Sequence, residues 1–109
     1  MKKIAEKYEG RADQKGFSFS LEYKSGEIGR NHSIVAVYSK SSHGTTDFET
    51  VIVRKRKKAV CIKGRVISEI GDDYLPSPNE WGNYGWSYPT KEAAMQKAKE
   101  LETRLAVEE

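Results

Sequence analysis

Apolar and polar positions along this chain alternate at two periods, and the change from one to the other divides it. Phe17, Phe19, Leu21 and Tyr23 alternate with Ser18, Ser20, Glu22 and Lys24. That period of two predicts a half-buried strand with its aromatic face inward. In the segment Ser33–Lys40 both alternating sets are apolar, Ile34/Ala36/Tyr38 and Val35/Val37, which suits a central strand covered on both faces. A third strand is expected over Phe48–Arg54 and a fourth over Ala59–Ile70. In the fourth, alternation places Val60, Ile62, Val66 and Ile70 on the core face and Cys61, Lys63, Arg65, Ile67 and Glu69 on the other. Tyr84, Trp86 and Tyr88 at period two predict a short fifth strand within Glu80–Tyr88. Gly85 and Ser87 between them have little to bury, so the aromatic face is expected to be the inner one.

The helical period takes over after Pro89. Thr90 is a good N-cap for a helix from about Lys91 to Val107, and Glu92 in its first turn suits the helix dipole. Ala94, Ala98, Leu101 and Leu105 follow at i, i+4, i+7 and i+11, one narrow stripe for burial. Alanine in its first half lets the helix lie close to a sheet whose own side chains are large. Residues 1–16 hold Ile4, Tyr8 and Ala12 at helical spacing, interrupted by Gly10 and Gly16, and predict a short helix or a frayed arm. Loops are expected at 25–32, at 41–46 and through the proline-bearing segment 71–79.

Strands followed by one helix give an α+β fold: an antiparallel sheet of four to five strands with a C-terminal helix packed on one face. A length of 109 residues sets one domain, 17–109, behind the N-terminal arm. The order from about Phe48 to Val107 is loosely similar to the three-strand-plus-helix DNA-reading modules of integrase N-terminal domains. That likeness rests on element order, and none of their motifs is matched residue by residue.

Charge changes the picture most. The net charge is +3, yet the stretch Val51–Ser68 carries Arg54, Lys55, Arg56, Lys57, Lys58, Lys63 and Arg65 and no acidic residue. Residues 69–109 carry nine acidic and four basic side chains. Such segregation creates a local field that bears on partners and not on the fold. With Val51–Val53 on one side and Ala59–Ile62 on the other, the five adjacent cations are expected at the tip of a β-hairpin. Such a tip suits a phosphate backbone, whose binding is steeply salt-dependent. The bland reading is a solvated turn that guards a sheet edge.

Other chemistry has thin support. His32 and His43 fall in separate loops and the lone Cys61 inside an expected strand, with no CxxC or HxxxH spacing for zinc. A cysteine between Val60 and Ile62 is expected to be a buried, inert thiol, which fits a reducing cytoplasm. Asp72, Asp73, Asn79 and Glu80 lack the alternation of a calcium loop. Gly26-Glu27-Ile28-Gly29 and Gly82-Asn83-Tyr84-Gly85 fit the GxxG pattern of RNA-clamping loops but lie among strands, as ordinary turns do. Apolar runs are too short to span a bilayer.

The sequence therefore leads to the expectation of a non-enzymatic, cytoplasmic binding module without cofactor or metal. Its site is Arg54, Lys55, Arg56, Lys57, Lys58, Lys63 and Arg65, with either Trp81, outside the aromatic alternation, or Tyr84 as the residue for base contact. DNA or RNA is the expected partner. The alternative is a protein-interaction or self-association domain, meeting an acidic protein or a second copy.

Overall fold

The computed structural model describes residues 2–10 and 14–108. Among these residues eight strands precede one α-helix: β1 (Lys7–Glu9), β2 (Ser18–Lys24), β3 (Ile34–Ser42), β4 (Thr45–Lys55), β5 (Val60–Ile62), β6 (Arg65–Ser68), β7 (Asp73–Tyr74), β8 (Gly85–Tyr88) and α1 (Lys91–Glu108). The main sheet runs β1-β2-β3-β4, with β7 and β8 both on the far edge of β4, and every pairing is antiparallel. The fold is α+β, with the C-terminal helix on one face of this sheet. Its six strands exceed the expected count, because β1 and β7 come from segments whose pattern predicts a helix or arm and a loop.

β3 is the centre. Ile34, Val35, Ala36, Val37 and Tyr38 are all buried, as its doubly apolar pattern requires. Val35 and Val37 pack with Ile52 of β4 against Ala94, Ala98, Leu101 and Leu105 of α1. The Thr90 hydroxyl accepts from the Ala93 N–H at 3.2 Å and caps the helix. Thr50 adds a buried hydroxyl donated to the Ala94 carbonyl at 2.8 Å, tying the first turn of α1 to β4. Ile34, Ala36 and Tyr38 face the other way, with Phe19, Val51 and Val53, under Ile4, Tyr8 and Leu75.

Residues 2–10 are thus an extended cover and not a helix. Tyr8 stacks on Phe19 with ring centroids 4.6 Å apart, and the Tyr38 hydroxyl donates to the Ala5 carbonyl at 2.7 Å. Ala12, the third residue of the expected helical face, lies outside the described residues.

Two further expectations are corrected. A bulge between Leu21 and Tyr23 turns Tyr23 away from Phe17, Phe19 and Leu21 and onto the helix side. There its hydroxyl donates to Glu102 at 2.9 Å. The expected fourth strand, 59–70, is itself a hairpin: β5 and β6 pair with each other around Lys63 and Gly64, whose φ angles of 51° and 77° make a two-residue turn. Ile62, Val66 and Ile70, assigned by alternation to the core, are exposed. Cys61 is exposed as well, so it is a surface thiol and not a buried one. The same turn chemistry at His43 and Gly44 shrinks the 41–46 loop to two residues between β3 and β4.

Leu101 is 1% exposed within the helix-side core. Leu101→Ala should lower unfolding free energy by about 2–5 kcal/mol, read from urea denaturation. At Gly85 an added Cβ would lie 2.4 Å from the Trp81 ring. Gly85→Ala should therefore cost about 1–3 kcal/mol by the same measurement, through overpacking.

Candidate nucleic-acid interface

β4 delivers its basic end to a crowded place. Its outer edge is taken first by β8, in register from Phe48↔Tyr88 to Val51↔Gly85, and then by β7 at Arg54↔Tyr74 and Lys55↔Asp73. No room is left for β5, so the hairpin expected around residues 54–58 does not form. Arg54 and Lys55 complete β4, and Arg56, Lys57 and Lys58 form the link that leaves the sheet.

Two of the seven cations are neutralised there. Arg54 Nη2 lies 2.6 Å from Glu80 Oε2, and Lys55 pairs with Asp73 and, at 3.5 Å, with Glu27. The Arg54 guanidinium also sits 3.8 Å from the Tyr84 ring centroid and 4.7 Å from that of Tyr74, while Arg56 lies 3.9 Å from Tyr74. Arginine planes thus occupy the two rings nearest the cluster, and neither is left as a clear platform for a base. Arg56, Lys57, Lys58, Lys63 and Arg65 pair with no carboxylate among the described residues. The acid-free surface is five cations wide, and not seven.

Three of those five line a cleft of about 910 Å³ between the end of β4 and the C-terminal half of α1. Arg56, Lys57 and Lys58 form one side, Tyr74, Asn83 and Tyr84 another, and Arg104 and Leu105 of the helix a third. Nε of Arg54 and of Arg56 are buried with no hydrogen-bond partner among the described residues. A buried donor left unmade costs about 1–3 kcal/mol, more when charged.

Lys63 and Arg65 stand apart, at and beside the turn of the β5–β6 hairpin, whose root residues Ala59 and Val60 border the same cleft. Trp81 is not brought to the cluster. Its ring covers Gly85, and its Nε1 donates to Ser87 at 3.1 Å. It lines a different cavity of about 850 Å³, with Tyr8, Phe19, Leu75 and Glu49. Burial raises the pKa of Glu49 there, against the opposing pull of Lys40. Tyr84, Trp86 and Tyr88 pack against the helix-side core, so the aromatic face of β8 is the inner one. Sequence reasoning missed Tyr74, Asn83 and Arg104. Of these only Arg104 carried a signal, standing beside Leu105 at the margin of the helix stripe.

The cleft wall is held by carboxylates. The Arg54 guanidinium, aided by the Ser77 backbone N–H, keeps the Glu80 carboxyl below its usual pKa. Asp72, 3% exposed, accepts from the backbone N–H groups of Glu69 at 2.9 Å and Lys2 at 2.8 Å, which lower its pKa likewise. Among the described residues, no group of three or more His, Cys, Asp or Glu side chains is placed to hold a metal, and no helix is long and apolar enough to cross a membrane. Compared with protein-family models, curated proteins and solved structures, the chain shows no significant match.

Both depressed carboxyls stabilise the fold fully above their ordinary values, near pH 4, and lose that contribution as pH falls through their folded values. Thermal unfolding followed from pH 7 to 3 should therefore show Tm dropping below about pH 4.5. The variant Asp72→Asn/Glu80→Gln should start lower at pH 7 and vary less with pH.

Proposed function

We propose that this chain is a small non-enzymatic module that binds the phosphate backbone of nucleic acid through the cleft beside α1. The observation that carries the reading is the gathering of Arg56, Lys57 and Lys58 around a concave volume with no acid paired to them. Asn83 and Arg104 add donors from two other elements. Guanidinium suits phosphate because its planar donors can grip two oxygens at once, while the lysines act as point charges. Arg54 and Lys55, held by Glu80 and Asp73, serve as the wall and not as ligands. Trp81, on another cavity, has no part in this reading.

A second reading has its own support. Ile62, Val66, Ile67 and Ile70 on and beside the β5–β6 hairpin are between 49% and 65% exposed. Large apolar residues exposed together on one element often mark a protein-docking surface. An acidic protein or a second copy could meet them, with Lys63 and Arg65 steering the encounter.

Titration of single- and double-stranded oligonucleotides at several salt concentrations separates the two. Three phosphate contacts in the cleft predict a slope of log K against log salt of about −2 for single strands, and all five cations a slope of about −4.5 for duplex. Lys57→Glu/Lys58→Glu/Lys63→Glu, all at exposed positions, should abolish binding and leave Tm nearly unchanged. Unchanged binding by that variant would remove the cleft from consideration. Salt-sensitive sedimentation as an oligomer, without nucleic acid, would support the second reading instead.

A further inference from the structure

The β5–β6 hairpin is the least embedded part of the fold. Every residue from Cys61 to Ile67 is exposed, and among the described residues its two strands pair with no strand but each other. A lone two-stranded ribbon in water is marginal, since it buries almost nothing. This one also leaves Ile62, Val66 and Ile67 uncovered at 54%, 56% and 49% exposure. Cross-strand pairing sets Ile62 opposite Arg65 and Cys61 opposite Val66, so apolar side chains occur on both faces and one face shares them with a cation.

That distribution discriminates between occupants. A ribbon lying on a lipid surface needs its apolar residues gathered on one side. A second copy placed arm to arm would set Lys63 and Arg65 against their own kind. A groove in a nucleic-acid duplex meets the ribbon from both sides, with phosphate walls for the cations and base edges for the apolar side chains. The ribbon is also continuous with the phosphate-binding cleft, since Lys57, Lys58, Ala59 and Val60 at its root line that cleft. The major groove of B-form DNA, about 12 Å wide, admits a two-stranded ribbon. The A-form RNA major groove is too narrow for side chains to read.

We infer that the β5–β6 hairpin is an arm that enters the major groove of duplex DNA while the cleft holds the adjoining backbone. The inference rests on the phosphate-binding reading of the cleft and adds to it the form of the nucleic acid.

Three probes test it: a DNA duplex of about two helical turns, the same sequence single-stranded, and an RNA duplex of equal length. The parent should bind the DNA duplex most tightly. Ile62→Ser/Lys63→Ser/Arg65→Ser, at exposed sites, should lower DNA-duplex affinity about tenfold or more through two lost phosphate contacts and lost groove contacts, and single-strand affinity by less than about threefold. Lys57→Glu/Lys58→Glu should weaken both. As a second readout, Cys61, the single cysteine of the chain, carries a thiol-directed photo-crosslinker, which should attach to the DNA duplex. An arm variant that binds the DNA duplex as the parent does, or a label that does not crosslink, overturns the arm and leaves the cleft standing. No binding to any of the three probes overturns the cleft reading and the arm with it. Self-association or binding to phosphatidylserine vesicles that the arm variant loses, with duplex binding unaffected, also overturns the inference.

Discussion

From Phe48 to Lys55 the outer edge of β4 is occupied, and most of the architecture follows from that. Its inner edge pairs with β3 along nine consecutive positions, from Ile34↔Val53 to Ser42↔Thr45. Its outer edge is divided between β8 and β7. A strand satisfied on both sides cannot also fold back on the segment that follows it. Residues after Lys55 must leave the sheet, and they carry Arg56, Lys57 and Lys58 with them. The same occupancy places Tyr74 and Tyr84 beside Arg54, which makes the cationic corner a packed wall and not a hairpin tip.

The sheet is covered on both faces by different means. On one, α1 brings alanines first, so it can approach β3 and β4 closely. On the other, among the described residues, the extended segment around Ile4 and Tyr8 together with Leu75 takes the place of a helix. That lighter cover depends on polar anchoring, because few side chains are available to bury. The Ile4 N–H donates to Asp73 at 3.1 Å, and the Asp73 N–H donates to the Lys2 carbonyl at 2.9 Å.

How much of this the chain discloses depends on the range of the forces involved. β2, β3 and α1 are legible because their periods are local and long, and Thr90 marks the helix start by its own hydrogen bond. The basic hairpin is not legible. β-branched runs on either side of five cations resemble two arms of a turn, but the partners that win β4 come from residues 73–74 and 85–88. One local cue was present: Gly64 interrupts the 59–70 alternation, and Lys63-Gly64 is turn chemistry. The bulge that redirects Tyr23 has no glycine or proline to announce it. Of the candidate site, the cations could be read from composition. Their division into five unpaired and two neutralised could not, since Glu80 and Asp73 reach them only through tertiary pairing. Arg104 meets the cluster by topology alone.

Asp72 and Asp73 join three parts of the chain at one point. Asp72 receives the amides of Lys2 and Glu69, its carbonyl accepts from Arg56 N–H at 2.8 Å, and Asp73 holds Ile4 and Lys55. The N-terminal cover, the exit of β4 and the foot of the β5–β6 ribbon are therefore fastened by adjacent residues. Peeling the first few residues from the sheet would loosen the ribbon's hinge at the same time. The amide protons of Lys2, Ile4 and Glu69, far apart in the chain, should therefore open to exchange together.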